Sequence, residues 1–147
     1  MPTLPLTDDR EPPVYRYRHA FHTRWNDNDQ YGHVNNVVHL EAMDTTINRW
    51  LIREAGLDPQ GGTHMAVCAA SSCRYRRPVS YPETLEVGLR AGRVGTTSVT
   101  WELGLFVEGD PEPAATGSFT HVFVDPATLR PVPVPADLRR RIERELG

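Results

Sequence analysis

The sequence predicts one α+β domain in which a five-stranded antiparallel sheet curves around a single long helix. Two patterns indicate this: a short alternating segment whose next regular element is a long amphipathic one, and then four strand-like segments separated mostly by hairpin signals. The chain has 147 residues, the length of one ordinary domain. We expect residues 1–13, rich in Pro and charge, to form a flexible lead-in and residues 14–147 to form the single domain.

Periodicity predicts the first two elements. Apolar and aromatic residues alternate from Tyr15 to Trp25, which predicts a half-buried strand with both of these residues on its inward face. The following helix is capped by Asn35 or Asn36 and runs to about residue 55, where Gly56 supplies a left-handed stop. Its apolar stripe consists of Leu40, Met43, Ile47, Trp50 and Leu51. We therefore expect the helix to pack against a large apolar surface.

The remaining elements complete the fold class. Strands are predicted at 65–77, 84–93, 97–108 and 116–125, and a proline-rich stretch then leads into a short charged helix at 136–146. Gly95 and the pair Gly109 and Asp110 are hairpin signals between these strands. An antiparallel sheet curved around one long central helix, with a short C-terminal helix, is the hot-dog architecture.

Composition limits the classes of partner. The net charge of -3 and a pI of about 6.0 give no general attraction to nucleic acid. No segment approaches the roughly 20 apolar residues that cross a bilayer, and the first residues do not resemble a secretion signal, so we expect a cytoplasmic protein without a membrane partner. Cys68 and Cys73 are expected to be reduced thiols on opposite faces of one strand, because their spacing is odd.

A dense polar cluster, WNDNDQYGHVNN at 25–36, separates the first strand from the helix. The start of a helix presents unpaired amide hydrogens, which can polarise a carbonyl oxygen and stabilise an oxyanion. A carboxylate a few residues earlier can attack that carbonyl or activate water. This segment is therefore the candidate catalytic site.

Two other interpretations of the cluster compete with catalysis. Asp27, Asp29 and Gly32 match three positions of a calcium-binding EF-hand loop, but Val38 stands where that loop needs a bidentate acid. Asp and Asn also close turns and cap helices without any catalytic role, and this structural alternative stays open on chemistry alone. The histidines His19, His22, His39, His64 and His121 show no metal-ligand spacing. We expect no metal and no cofactor.

Residues 27–36, DNDQYGHVNN, resemble the signature of the 4-hydroxybenzoyl-CoA thioesterase-like hot-dog family. The HVNN end is also similar to plant acyl-carrier-protein thioesterases. The segments CRYRRPV at 73–79, LEV at 85–87 and PVP at 133–135 resemble that family in the same order, so the likeness covers roughly residues 14–140.

The resemblance implies a thioesterase and assigns its site. Asp29 matches the catalytic carboxylate, acting as nucleophile or as general base on water, and the backbone amide near Asn36 matches the group that polarises the thioester carbonyl. Gly32 matches the glycine that lets the chain approach the acyl group, and His33 matches the family histidine. Asn35 and Asn36 stand where the hydroxybenzoyl enzymes have larger aromatic side chains, which argues against an aromatic acyl group.

The expected activity is hydrolysis of acyl-CoA or acyl-carrier-protein thioesters, with coenzyme A as part of the substrate. Arg74, Arg76, Arg77 and Arg93 could bind the CoA phosphates, although a solvated strand face explains them equally well. The resemblance also implies a homo-oligomer, a dimer or tetramer, with the site between subunits. Two alternatives remain: a hot-dog 3-hydroxyacyl-thioester hydratase or dehydratase, and a non-catalytic acyl-CoA-binding module.

Overall fold

The sheet has five strands in the order β1-β3-β4-β5-β2, and every neighbouring pair is antiparallel. The structure is a computed structural model that describes residues 14–147, so the predicted lead-in lies outside the described residues. The strands are β1 Tyr17–His22, β2 Met65–Tyr75, β3 Thr84–Val94, β4 Ser98–Val107 and β5 Ala115–Val124. The helices are α1 Asn36–Arg49 and α2 Ala136–Glu145. The predicted hot-dog fold is confirmed.

The core lies between α1 and the inner face of the sheet. Alternation on β4 buries Val99, Trp101, Leu103 and Leu105, as the period of a strand requires. Gly117 on β5 lies directly under the helix, where any side chain would collide with the Met43 sulfur. This close approach brings α1 down onto the sheet. The buried face of α1 consists of His39, Ala42, Met43, Thr46 and Ile47.

The structure corrects the predicted course of the first strand. β1 ends at His22, and the next residues form a 3₁₀ turn at Trp25–Asp27. The inward position predicted for Trp25 is wrong, because its side chain is 80% exposed. The physical reason is Asp27, whose carboxylate accepts hydrogen bonds from the backbone and guanidinium of Arg24 and closes the turn.

Both ends of the long helix match the prediction, with one local difference. Asn35 caps the start, and Gly56 adopts a left-handed φ of 73° after the end. The last turn, Trp50–Glu54, widens to π-helical geometry, in which the Ala55 amide donates to the carbonyl of Trp50 at 3.0 Å.

β2 is an edge strand with an irregular register. A bulge between Cys68 and Ala70 inserts an extra residue, so the odd spacing of Cys68 and Cys73 does not place them on opposite faces as predicted. Both cysteines are free thiols. Within residues 14–147, no helix has the length and hydropathy needed to cross a membrane.

Candidate active site

The polar loop between β1 and α1 is held by Asp27. Its side chain is 1% exposed and binds Arg24 through contacts of 2.7 Å to the backbone amide and 2.8 Å to the guanidinium. Its carbonyl also accepts the Asn35 amide at 2.9 Å. Asp27 therefore fixes the loop against the helix start and has a structural role.

Asp29 occupies a tight turn in which hydrogen bonds orient its carboxylate. The Gly32 amide donates to the Asp29 carbonyl at 3.0 Å, and Gly32 completes the turn with a φ of 81° that favours glycine. One carboxylate oxygen, Oδ1, accepts the Tyr31 amide at 2.9 Å. The other, Oδ2, lies 3.4 Å from the Asn35 amide nitrogen. The carboxylate is thus oriented, and among residues 14–147 Oδ2 accepts one long hydrogen bond.

The start of α1 lies beside this carboxylate. Asn35 caps the helix by accepting the Val37 amide at 2.9 Å through Oδ1, while its Nδ2 contacts Asp29. The first helical residue is Asn36, and its amide has no partner within the helix by virtue of its position. One asparagine therefore links the carboxylate to the end of the helix where oxyanions are stabilised.

A cavity of about 260 Å³ connects these groups. It lies between the helix start and the segment that follows β2, and two hydrogen bonds tie these together: Tyr75 Oη donates to the Asn36 carbonyl at 3.1 Å, and Ser80 Oγ donates to the Gly32 carbonyl at 2.8 Å. The lining residues are Asp29, Tyr31, His33, Val34, Asn36, His39, Tyr75, Arg76, Arg77 and Pro78.

Two aromatic side chains of the cavity wall are uncharged at neutral pH. Burial lowers the pKa of His39, which is only 3% exposed. Burial, followed by the neighbouring Cys73 thiol, raises the pKa of Tyr75 to about 12. The two rings meet edge to face with centroids 5.0 Å apart. This part of the wall is therefore polar but neutral.

The structure brings together most of the predicted site residues. Asp29, His33, Asn36, Arg76 and Arg77 line the cavity, while Gly32 and Asn35 form the turn and cap behind it. The Arg77 guanidinium is 2.5 Å from the Asp110 carboxylate, so part of its charge is already paired.

The other two predicted arginines lie elsewhere in the described chain. Arg74 is exposed on β2 and does not line the cavity. Arg93 borders a separate depression near the start of α2, together with Arg139 and Arg140. Their proposed role toward CoA stays a prediction. Among residues 14–147, no group of three or more His, Cys, Asp or Glu side chains is placed to hold a metal ion.

Sequence reasoning missed His39 and Tyr75 as cavity residues. His39 lies four residues before Met43 on the buried face of the helix, so the helical spacing could have predicted that its side chain points inward. Tyr75 gave no local signal, because it reaches the helix start from 39 residues further along the chain.

The fold and this cavity together define a hot-dog protein with a site suited to thioester chemistry. The family model of the thioesterase-like superfamily matches residues 23–142, and the chain belongs to that superfamily, whose chemistry is thioester hydrolysis. The resemblance seen in the sequence is therefore confirmed.

Three individual proteins are similar to this chain. The PA5185 protein of Pseudomonas aeruginosa strain PAO1 is 45% identical, with a TM-score of 0.87 over 90% of this chain and 93% of that one. A Thermus thermophilus thioesterase in complex with coenzyme A and zinc is 30% identical, with a TM-score of 0.75 over 88% of this chain and 93% of that one. The Bacillus subtilis (strain 168) protein YsmA is 30% identical over 105 residues, which are 69% of this chain and 67% of YsmA.

Proposed function

We propose that this protein hydrolyses acyl-CoA thioesters, or the corresponding acyl-carrier-protein thioesters, with Asp29 as the reacting carboxylate. The observation that carries the proposal is one cavity shared by the Asp29 carboxylate and the start of α1 at Asn36. The coenzyme A bound to the Thermus thermophilus relative supports a CoA thioester as the substrate class.

Two routes fit these groups. As a general base, Asp29 takes a proton from a water whose oxygen attacks the carbonyl carbon, the C–S bond breaks, and the proton passes to the departing sulfur. As a nucleophile, a carboxylate oxygen attacks the carbonyl carbon, the C–S bond breaks and the thiolate leaves. Water then hydrolyses the mixed anhydride, and a proton released from that water goes to the thiolate. In both routes the Asn36 amide donates to the oxygen that gains negative charge, and Asn35 orients the carboxylate.

The test is release of free thiol from short, medium and long acyl-CoAs and from matching acyl-carrier proteins, with and without a chelator. We expect turnover of at least one substrate and no effect of the chelator. Tight binding of acyl-CoA without thiol release would contradict the proposal.

We propose that Arg76 binds a phosphate of CoA at the cavity mouth. It borders the cavity and, within the described chain, pairs with no carboxylate, unlike Arg77. Arg76→Glu should raise KM about 10-fold or more with little change in kcat, because a charged hydrogen bond contributes about 1.5–3 kcal/mol. Steady-state kinetics measure this, and the effect should shrink at high salt.

The matched control for that prediction is Arg130→Glu, which makes the same charge change in an exposed loop outside the cavity. Its KM should remain at the wild-type value. Equal KM values for Arg76→Glu and the wild type would move the phosphate site elsewhere.

We also propose that two copies associate through the free edge of β2. Every residue from Val67 to Ser72 is exposed, on both faces of the strand, and the strand carries no charge between Met65 and Cys73. Edge strands normally carry charge or a cover that prevents pairing. A second β2 across a two-fold axis would cover this edge and bring the two cavities near the interface.

Ala70→Glu should convert the oligomer to monomer, because a two-fold axis places the new carboxylate of each copy close to the other. Light scattering coupled to gel filtration measures the mass. His22→Glu on the opposite edge strand is the control and should keep the wild-type mass. A wild-type protein that is monomeric at micromolar concentration would refute the interface.

A further inference from the structure

His39 is a buried polar residue in the wall of the cavity. It lies one turn into α1 on the face that packs inward, and its ring borders the same cavity as the Asp29 carboxylate. Its Nδ1 lies 3.3 Å from the Asn35 carbonyl oxygen. Because a carbonyl can only accept, Nδ1 carries the proton of the neutral ring, and Nε2 presents a lone pair.

No donor in the described part of the chain pairs with the lone pair of Nε2. Within residues 14–147, the bond from Nδ1 is the one hydrogen bond that the His39 ring makes. Tyr75, which packs against this ring, has already given its hydroxyl hydrogen to the Asn36 carbonyl. Nε2 is not among the side-chain atoms of the described residues that are sealed from solvent without a partner, so water can reach it from the cavity. An acyl group that fills the cavity displaces this water, and the acceptor then stays unpaired unless the acyl group supplies a donor.

We propose that His39 selects acyl groups that carry a hydroxyl on the second or third carbon, which donates its hydrogen to Nε2. The inference rests on the proposed function, because it assumes that the thioester carbonyl lies at the Asn36 amide. His39 is three residues further along the helix, a rise of roughly 4.5 Å. An acyl group whose hydroxyl lies one or two carbons beyond the carbonyl can cover this distance, because the hydrogen bond from the hydroxyl to Nε2 adds about 2.8 Å.

The chemistry of the cavity agrees with this substrate class. A plain alkyl group would leave Nε2 unpaired. A group that can only accept hydrogen bonds would be repelled by the lone pair of Nε2. Sites built to hydrogen-bond a hydroxyl discriminate strongly against analogues that lack it.

The test compares butyryl-CoA with 2-hydroxybutyryl-CoA and 3-hydroxybutyryl-CoA, each enantiomer separately. It measures kcat/KM for the thioesters and Kd for the corresponding non-hydrolysable thioethers. In the wild type, at least one hydroxylated compound should be favoured about 10-fold or more over butyryl. His39→Phe keeps an aromatic ring but has no hydrogen-bond acceptor, so the ratio of kcat/KM for the hydroxylated compound to that for butyryl-CoA should fall to about 1. His39→Gln restores an acceptor and should recover part of that ratio.

The matched control is His64→Phe, which replaces a half-buried histidine outside the cavity and should keep the wild-type preference. The inference would be overturned if the wild type showed equal kcat/KM and Kd values for the hydroxylated and butyryl compounds. It would also be overturned if the preference for a hydroxyl survived in His39→Phe. If His39→Phe does not fold, the wild-type and His39→Gln ratios still decide. Hydrolysis without preference refutes only this inference, whereas thioether selectivity without hydrolysis refutes only the proposed function.

Discussion

Asp29→Asn is expected to lower kcat/KM by roughly 10²–10⁴ while leaving the unfolding midpoint unchanged. The substitution keeps the shape of the side chain and the Oδ1 that accepts the Tyr31 amide, so the turn should survive. It removes the negative charge and basicity that either route needs. Thiol release and thermal unfolding of the same preparation measure the two quantities.

The control for this prediction is Asp125→Asn. Asp125 closes a turn of the same kind, with Oδ1 accepting the amides of Ala127 and Thr128, but it lies outside the cavity. Its activity and stability should stay at the wild-type level, because Asn replaces Asp well in such turns. Asp27→Asn is a poorer control, since it weakens a buried pair with Arg24. If Asp29→Asn hydrolysed the substrate at nearly the wild-type rate, Asp29 would have only a structural role in its turn.

Trp101→Ala is expected to lower the free energy of unfolding by about 3–5 kcal/mol. Trp101 is fully buried on β4 and packs against Trp50 of the helix at a ring distance of 6.0 Å. Its Nε1 also donates to Nδ1 of the buried His121 at 3.1 Å, so the substitution leaves that acceptor without its donor. Urea unfolding followed by circular dichroism measures the loss.

Trp25→Ala provides the matched control for Trp101→Ala. Trp25 is 80% exposed and contacts Tyr81 at the surface, so its removal should change stability by less than about 1 kcal/mol. Trp101→Phe retains most of the packing but removes the hydrogen bond to His121, so its loss of stability measures mainly the contribution of that bond. Equal stability losses for the two alanine variants would contradict the position assigned to the core.

The fold followed from the sequence because each element carries its own periodicity. Alternation on β4 and the spacing of Met43 and Ile47 on α1 depend only on which face is buried. The interpretation failed at Trp25, where the alternation continues in the sequence but a hydrogen bond donated by the Arg24 amide to the Asp27 carboxylate closes a turn. Competition between a side chain and the backbone at a strand end is not visible in periodicity.

The site was predictable only where it is contiguous in sequence. Residues 27–36 contain the carboxylate, the turn and the helix cap, so their resemblance to a family identified them together. Tyr75 joins the cavity through the tertiary fold. The helical spacing of His39 does not distinguish it from a core residue, although its ring lines the same cavity as Asp29. Conversely, Arg93 was grouped with Arg76 by composition, and the fold places it at another depression.

The most direct test of the central claim is mass spectrometry of the products formed from a 3-hydroxyacyl-CoA, together with a thiol assay. Thioester hydrolysis predicts free thiol and hydroxy acid in equal amounts, with that release abolished or strongly reduced in Asp29→Asn. Loss of water from the intact thioester, without free thiol, would instead identify a dehydratase. An unchanged substrate that nevertheless binds would identify a non-catalytic module, and either result would contradict the carboxylate-driven hydrolysis proposed for this cavity.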